Sequence, residues 1–360
     1  MVFSSTVFLF LFLPVVIAVY YNPFVKKRGF RNIVLLLASL FFYGWGEPVF
    51  VFLMILSIIV NWAFGLMVDG MAKKGNKLGM KLGMILSVVY NLGLMFVFKY
   101  LTFVTKNISF LLHNDSIVVN IALPIGISFF TFQLMSYVFD VYYGTAKVQK
   151  NLLYVGLYVS MFPQLIAGPI VRYETVADEI VNRVENRKDF AEGFGRFVVG
   201  LGKKILISNY VGKIADIAFA TEGGMSVAMA WLGAIAYTLQ IYFDFSGYSD
   251  MAIGLGRMFG FHFLENFNFP YVSKSITEFW RRWHITLSTW FRDYVYIPLG
   301  GNRVSKGRHI WNIFVVWFLT GVWHGANWTF ICWGLLYFVL LMFEKLTGFH
   351  KKNGWYMHIY

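Results

Sequence analysis

Residues 310–343 form a run of 34 residues without a single Asp, Glu, Lys or Arg. At about 1.5 Å per residue, one α-helix of this length would be about 51 Å long. The hydrocarbon core of a bilayer is only about 30 Å thick. The run therefore predicts two membrane segments joined by a break, for which Gly321, Gly325 and Asn327 are the natural positions.

Apolar runs recur along the chain, which is 58% hydrophobic, 20% aromatic and only 14% charged. A soluble monomer of this composition would expose larger apolar patches than such proteins tolerate. At about 20 apolar residues per spanning helix, the pattern predicts an all-α, polytopic membrane protein with roughly ten or eleven membrane segments, some re-entrant. The other runs are 1–25, 32–46, 48–68, 82–98 with a weaker stretch to 112, 116–139 with a break near Pro124 and Gly126, 152–171, 193–210, 223–243 and 244–262.

The net charge of +13 is concentrated between the apolar runs. This distribution is typical of cytoplasmic loops in membrane proteins and argues against a nucleic-acid partner. The basic loops 23–31 and 69–81 are separated by two spans, so we expect both on the cytoplasmic side. Residues 1–25 lack the basic start of a signal peptide and are expected to remain as the first span, with the N-terminus outside. The stretch 272–308 has seven lysines and arginines against two carboxylates and is expected on the cytoplasmic side.

Residues 276–294 have the pattern of an amphipathic helix lying in the membrane interface. His284 falls at the edge of the apolar face, so its side chain is expected to point toward the protein interior. The apolar face consists of Ile276, Phe279, Trp280, Trp283, Leu287, Trp290, Phe291 and Tyr294, and the charged face of Glu278, Arg281, Arg282, Arg292 and Asp293.

His324 lies within the long uncharged run, in the sequence Trp323-His324-Gly325-Ala326-Asn327-Trp328. An ionisable residue at membrane depth is costly and therefore indicates a functional site. Imidazole can take and return a proton near neutral pH, which suits a general base. The alternative is a neutral core histidine that donates to a carbonyl of a neighbouring helix.

Two further pairs of charged residues are candidates for substrate binding. Asp244 and Asp250 follow a clean apolar run. They form either an interfacial turn capped by Asp and Ser side chains or the polar wall of a reaction chamber. Arg281 and Arg282 are placed either to attract the phosphates of a substrate or to anchor the segment to anionic lipid.

Several other site chemistries find no support in the sequence. The single cysteine, Cys332, excludes a disulfide framework and a cysteine-rich metal site. His284 and His324 lack the ligand spacing of a zinc site, and no HExxH or GxSxG motif occurs.

Taken in order, the motifs resemble the membrane-bound O-acyltransferase (MBOAT) family, in particular its bacterial alginate O-acetyltransferase branch. The D-alanyl transfer proteins of teichoic acid synthesis are close to this branch. The similarity covers nearly the whole chain. The matching stretches are FYGWGEP at 42–48, PIGISFFTFQ at 124–133, FPQLIAGPI at 162–170, DFSGYSD at 244–250, FWRRWH at 279–284, DYVYIPLGGNR at 293–303 and GVWHG at 321–325.

The resemblance implies a ring of helices around a central chamber in a bacterial cell membrane. It implies transfer of an acyl group, acetyl in this branch, from a cytoplasmic thioester such as acetyl-coenzyme A or an acyl carrier to a hydroxyl of an extracytoplasmic glycopolymer. The essential histidine of the family maps onto His324 and its second histidine onto His284. No bound cofactor is implied, and a separate extracytoplasmic acetyltransferase-type protein is expected as a partner. Substrate contacts are expected from Trp323, Asn327, Arg281, Arg282, Asp244 and Asp250.

The chain is interpreted as one membrane domain, 1–360. Family members continue with further hydrophobic segments, so the last spans are expected to be missing after Met357-His358-Ile359-Tyr360. Two other functions fit parts of the pattern: D-alanyl transfer to teichoic acid, and a transporter or flippase. Broken helices and an intramembrane histidine suit a carrier, but the sequence has no visible inverted repeat and few acidic residues in its apolar runs.

Overall fold

The structure is a computed structural model that describes residues 1–25, 27–221 and 224–349. Lys26, in the first basic loop, and the stretch 357–360, where the last spans were expected to be missing, lie outside the described residues. The regular structure of the described part is helical, which confirms the all-α prediction. Its α-helices are α1 (Leu13–Tyr20), α2 (Arg28–Gly46), α3 (Phe50–Lys73), α4 (Lys77–Met95), α5 (Leu101–Leu112), α6 (Ile127–Tyr143), α7 (Leu152–Ser160), α8 (Tyr173–Val176), α9 (Glu179–Asn182), α10 (Arg187–Gly202), α11 (Asn209–Phe219), α12 (Val227–Met258), α13 (Ile276–Arg282), α14 (Ile285–Phe291), α15 (Lys306–His324) and α16 (Trp328–Thr347).

The chain divides into two compact units, each built from two separate segments. The first unit consists of the described parts of Met1–Ile55 and Asn151–Glu265. The second consists of Leu56–Lys150 and the described residues from Asn266 onward. The candidate histidines and the FWRRWH motif belong to the second unit, whereas Asp244 and Asp250 belong to the first.

Four helical stretches of the described residues are long and apolar enough to cross a membrane: α2, α3, the continuous helix Lys77–Leu112 and α16. Helices α2 and α3 confirm the predicted runs 32–46 and 48–68. The run 82–98 and the weaker stretch after it are one helix, because α4 continues through a π-helical turn, Phe96–Tyr100, into α5. The predicted total of ten or eleven membrane segments is not confirmed.

Two other apolar runs are helical over only part of their length. Within 1–25, the apolar helix covers Phe8–Tyr20. Within 152–171, α7 ends at Ser160, three residues before Pro163. A proline ring disfavours the helical conformation for the residue before it, which is consistent with the end of the helix near this point.

Residues 223–243 and 244–262 were predicted as separate segments, but α12 runs without a break from Val227 to Met258. Two of its glycines, Gly247 and Gly254, pack against α10. A Cβ atom built on Gly254 would lie 2.5 Å from the Gly193 carbonyl oxygen, and one on Gly247 would lie 2.8 Å from the Gly200 carbonyl oxygen. The two glycines of each helix are seven residues apart, so they meet as pairs and let the backbones approach closely.

The long run 310–343 breaks as predicted, between α15 and α16. Gly325 is extended, and the Asn327 side chain caps α16 by accepting a hydrogen bond from the Thr329 N–H at 3.0 Å. Gly321, the third candidate break point, remains helical. A Cβ atom on Gly321 would lie 2.6 Å from the Phe330 carbonyl oxygen, so this glycine lets α15 and α16 pack closely.

We expect Gly334→Ala to destabilise the second unit by about 1–3 kcal/mol, because overpacking forces backbones apart. Its Cβ would lie 2.5 Å from the Trp317 carbonyl oxygen and 3.0 Å from Gly321 Cα. The matched control is Gly307→Ala near the start of α15, where a Cβ would meet nothing within 4 Å. Thermal unfolding of the detergent-solubilised variants measures the difference, and equal melting temperatures would contradict the close packing of α15 on α16.

Candidate active site

His284 is positioned by a break in the predicted amphipathic segment. The continuous interface helix over 276–294 is wrong: α13 ends at Arg282, and α14 begins at Ile285. Between them His284 adopts a left-handed backbone conformation with φ 45°. This conformation is costly for a residue other than glycine and occurs mainly where surrounding contacts enforce it.

Asn266 supplies those contacts. Its Oδ1 accepts hydrogen bonds from the Thr286 N–H at 3.3 Å and the Thr286 hydroxyl at 2.8 Å, and its backbone carbonyl accepts from Ile285 N–H at 2.9 Å. His284 Nδ1 lies 3.1 Å from the same Oδ1. Because Oδ1 is an acceptor, Nδ1 carries the proton and donates, which leaves Nε2 with the lone pair. The side chain is 2% exposed, as expected from its place on the apolar face.

His324 is the last residue of α15. Its ring lies 4.9 Å from the Trp333 ring and 5.0 Å from the Trp323 ring, centroid to centroid. Its Nε2 is buried and has no hydrogen-bond partner among the described residues. The next residue must be small, because a Cβ on Gly325 would lie 2.3 Å from the Phe330 ring. A buried, unpartnered imidazole nitrogen is able to accept a proton from a substrate hydroxyl.

Trp323 packs against the rings of both histidines. Its ring is 6.0 Å from the His284 ring and 5.0 Å from the His324 ring. It is 6% exposed and also packs on Phe132 of α6 at 5.6 Å. The structure thus brings the three candidate residues His284, Trp323 and His324 into one buried aromatic cluster.

Lys99 supports the end of α15 and was missed by sequence reasoning. Its Nζ donates to the Trp323 carbonyl oxygen and to Ser128 Oγ at 2.9 Å, and Tyr100 donates its hydroxyl to the Val322 carbonyl oxygen. A cation at a helix C-terminus satisfies free carbonyls and complements the helix dipole. The sequence feature that could have identified Lys99 is a single lysine between two apolar stretches, where a charged residue indicates a functional or structural role.

We expect Lys99→Met to reduce the acyl transfer implied by the family resemblance by up to about 100-fold, because small displacements of a reacting group can cost that much. The variant leaves the Trp323 carbonyl without its donor and loosens the position of His324. Initial rates of acyl transfer at matched protein levels measure the effect. Lys106→Met, on the exposed face of the same helix, is the control and is expected to have the wild-type rate. Equal rates for the two variants would contradict the role of Lys99.

The other substrate-binding candidates of the second unit lie on the ends of helices. Arg282 pairs with Glu278 at 2.8 Å and donates to the Asn268 carbonyl oxygen at 3.1 Å. Arg281 is exposed. Asn327 is exposed too and uses its side-chain oxygen as the cap of α16. Their substrate contacts remain predictions.

Asp244 and Asp250 lie inside α12, so the predicted interfacial turn is wrong. Both carboxylates are paired with cations on the neighbouring helical segment. Asp250 contacts Arg196 at 2.9 Å and Lys203 at 2.6 Å, and Asp244 pairs with Lys204. Within the described residues, no group of three or more His, Cys, Asp or Glu side chains could hold a metal ion.

Comparison with known proteins gives a consistent set of relatives. Residues 147–358 match the model of the membrane-bound O-acyltransferase family. The chain is 46% identical over 356 residues to the probable alginate O-acetylase AlgI of Pseudomonas syringae pv. tomato, covering 98% of this chain and 68% of the relative. It is 36% identical over 374 residues to the peptidoglycan O-acetyltransferase of Helicobacter pylori, covering 96% and 70%. It is 31% identical over 249 residues to the teichoic acid D-alanyltransferase of Bacillus subtilis, covering 64% and 61%.

Proposed function

Because the chain belongs to the membrane-bound O-acyltransferase family, we propose that it moves an acetyl group from a cytoplasmic thioester to hydroxyl groups of an extracytoplasmic polysaccharide. The family and the names of the relatives indicate acyltransferase activity, and the apolar helices indicate a membrane protein. Relatives named for alginate and peptidoglycan support a polysaccharide acceptor.

The observation that carries this proposal is the buried Nε2 of His324, which lacks a partner among the described residues. His324 takes the proton of the acceptor hydroxyl as the oxygen attacks the thioester carbonyl carbon. A tetrahedral oxyanion forms, the C–S bond breaks, and His324 returns the proton to the departing thiolate. The products are an ester and a thiol, and all atoms and electrons of this proposed reaction are accounted for by the thioester, the hydroxyl group and His324.

His284 acts through Trp323 as a positioning residue in this proposal. Its orientation is held by Asn266, and the Trp323 ring packs against both its ring and that of His324. Asn327 and Trp323 border the acceptor, and Arg281 and Arg282 attract the phosphates of the donor from the basic stretch 272–308. The donor is acetyl-coenzyme A or an acyl carrier.

The proposed location, partner and acyl acceptor are based on the resemblance to the relatives. We place the protein in a bacterial cell membrane, with its N-terminus outside and a separate extracytoplasmic acetyltransferase-type protein as its partner. Asp244 and Asp250 are proposed to contribute to the polar wall facing the polymer. D-alanyl transfer is the second candidate, because the relative named for it is 31% identical over 64% of this chain.

Mass analysis of surface glycans from a strain lacking this protein tests the proposal. Loss of acetyl esters from one polysaccharide, restored by the wild-type chain, is the expected result. Loss of D-alanyl esters would select the second candidate. An unchanged ester content of every surface glycan would overturn both.

A further inference from the structure

Trp280, on the apolar face predicted for residues 276–294, packs against three other aromatic rings. Its ring centroid lies 4.8 Å from that of Trp317, 5.0 Å from Tyr337 and 5.6 Å from Trp333. Its Nε1–H is buried and has no hydrogen-bond acceptor among the described residues. Trp280 therefore holds a buried polar donor that the neighbouring side chains leave unused.

A buried donor without an acceptor is unfavourable, so most buried indole N–H groups find a partner. The Trp280 and Tyr337 rings meet edge to face, at 88°. Such a contact offers at best a weak N–H···π interaction, which a carbonyl oxygen readily replaces. A carbonyl group of a ligand that reached the indole nitrogen would therefore satisfy this donor.

His324 and Trp280 share one neighbour. The Trp333 ring lies 4.9 Å from the His324 ring, at an interplanar angle of 76°, and 5.6 Å from the Trp280 ring, at 78°. His324 Nε2 and Trp280 Nε1 are both buried, and neither has a hydrogen-bond partner in the described part of the chain. The indole nitrogen can only donate, whereas the imidazole nitrogen can accept a proton. Acyl transfer needs this combination, a donor for the carbonyl oxygen and a base for the hydroxyl.

We propose that Trp280 is a catalytic residue whose Nε1–H donates a hydrogen bond to the carbonyl oxygen of the acyl thioester. This inference rests on the proposed acyl transfer. As the acceptor oxygen bonds to the carbonyl carbon, the π electrons of the C=O bond move onto the carbonyl oxygen, and the indole N–H stabilises the negative charge that develops there. The oxyanion then re-forms the C=O bond as the C–S bond breaks; the bonding electrons leave on sulfur as a thiolate, which receives the proton taken by His324. Trp280 exchanges no proton and forms no covalent bond.

Trp280→Phe tests the proposal, because it keeps an aromatic ring and removes the donor. We expect the turnover rate to fall about 100- to 1000-fold, the usual effect of removing one oxyanion donor, with little change in the KM for the donor. Trp317→Phe is the matched control, since it removes an indole from the same cluster. The assay is the initial rate of ester formation on the polysaccharide in cells with equal membrane levels of each variant. Equal losses in the two variants, or a loss confined to KM, would overturn the proposal.

Infrared spectroscopy tests the hydrogen bond itself. The probe is acetyl-coenzyme A labelled with 13C at the carbonyl carbon, bound to the full chain carrying His324→Ala so that turnover stops. We expect the carbonyl stretch to shift to lower frequency, and the shift to disappear when Trp280→Phe is added but not when Trp317→Phe is added. A shift that survives Trp280→Phe would overturn the proposal. A wild-type protein that makes no ester in cells would overturn the proposed function instead, whereas a fully active Trp280→Phe variant would overturn the inference alone.

Discussion

Replacement of His324 by alanine is expected to abolish acyl transfer, with a loss of at least about 1000-fold, within the range that a general base contributes. The variant removes the only proposed acceptor for the hydroxyl proton. It leaves the aromatic rings in place, so the protein is expected to reach wild-type levels in the membrane. Ester content of the polysaccharide in a complemented deletion strain measures the loss.

The matched control for this experiment is His113→Asn. His113 is exposed and ends α5 with φ 49°, a left-handed conformation that asparagine tolerates. We expect this variant to keep wild-type ester levels. Undiminished ester in the His324→Ala strain would remove His324 from the mechanism.

The second large effect is expected at Glu185 in the first unit, where one carboxylate meets several cations. Arg31 Nη1 lies 2.7 Å from Oε2, Arg28 Nη2 lies 3.1 Å from the same oxygen, and Arg183 Nε lies 3.6 Å from Oε1. Tyr20 also donates its hydroxyl to Oε1. The side chains of Glu185 and Arg183 are 6% and 0% exposed. The carboxylate therefore neutralises guanidinium groups that have little access to water.

We expect Glu185→Gln to lower the free energy of unfolding by about 3–5 kcal/mol, because breaking a buried ion pair leaves an uncompensated charge. Thermal or denaturant unfolding in detergent measures the change. Glu192→Gln is the control: Glu192 pairs with Arg257 at 2.5 Å but is 43% exposed, and a surface pair contributes at most about 1 kcal/mol. Equal effects of the two substitutions would contradict the account of this cluster.

The same cluster predicts a pH dependence. Burial alone would raise the pKa of the Glu185 carboxyl, but hydrogen bonds from Arg28 and Tyr20 outweigh burial and lower this pKa from 4.5 to about 2. Because the folded pKa lies below the unfolded value, the contribution of Glu185 to stability is complete above about pH 4.5 and is lost as the pH falls toward 2. We expect the stability difference between wild type and Glu185→Gln to shrink over this range. A constant difference would mean that the carboxylate is not the source of the stabilisation.

The features predicted correctly from the sequence are those set by length and local pattern. The run 310–343 is too long for one spanning helix, so a break near Gly325 and Asn327 follows from the thickness of a bilayer. The buried position of His284 follows from its place on the apolar face. Both arguments need only neighbouring residues and the physical properties of the surroundings.

The features that the sequence did not reveal depend on partners far along the chain. The break at His284 is held by Asn266, 18 residues earlier, and aromatic periodicity alone predicts a continuous helix there. Asp250 lies within α12 and pairs with Arg196 and Lys203, which are about 50 residues earlier in the chain. Trp280 has the spacing of an interface aromatic, and three of the rings that pack against it come from α15 and α16. Local periodicity contains no information on such contacts.

The most direct test of the central claim follows a labelled acetyl group in membrane vesicles that contain the wild-type chain and its polysaccharide acceptor. The donor carries 14C in the acetyl group, and the experiment measures base-labile label in the polysaccharide together with free thiol. The account predicts that ester and thiol appear in equal amounts and that both are absent with His324→Ala. Label that crosses the membrane while remaining a thioester, with no ester formed, would contradict it and would favour a carrier.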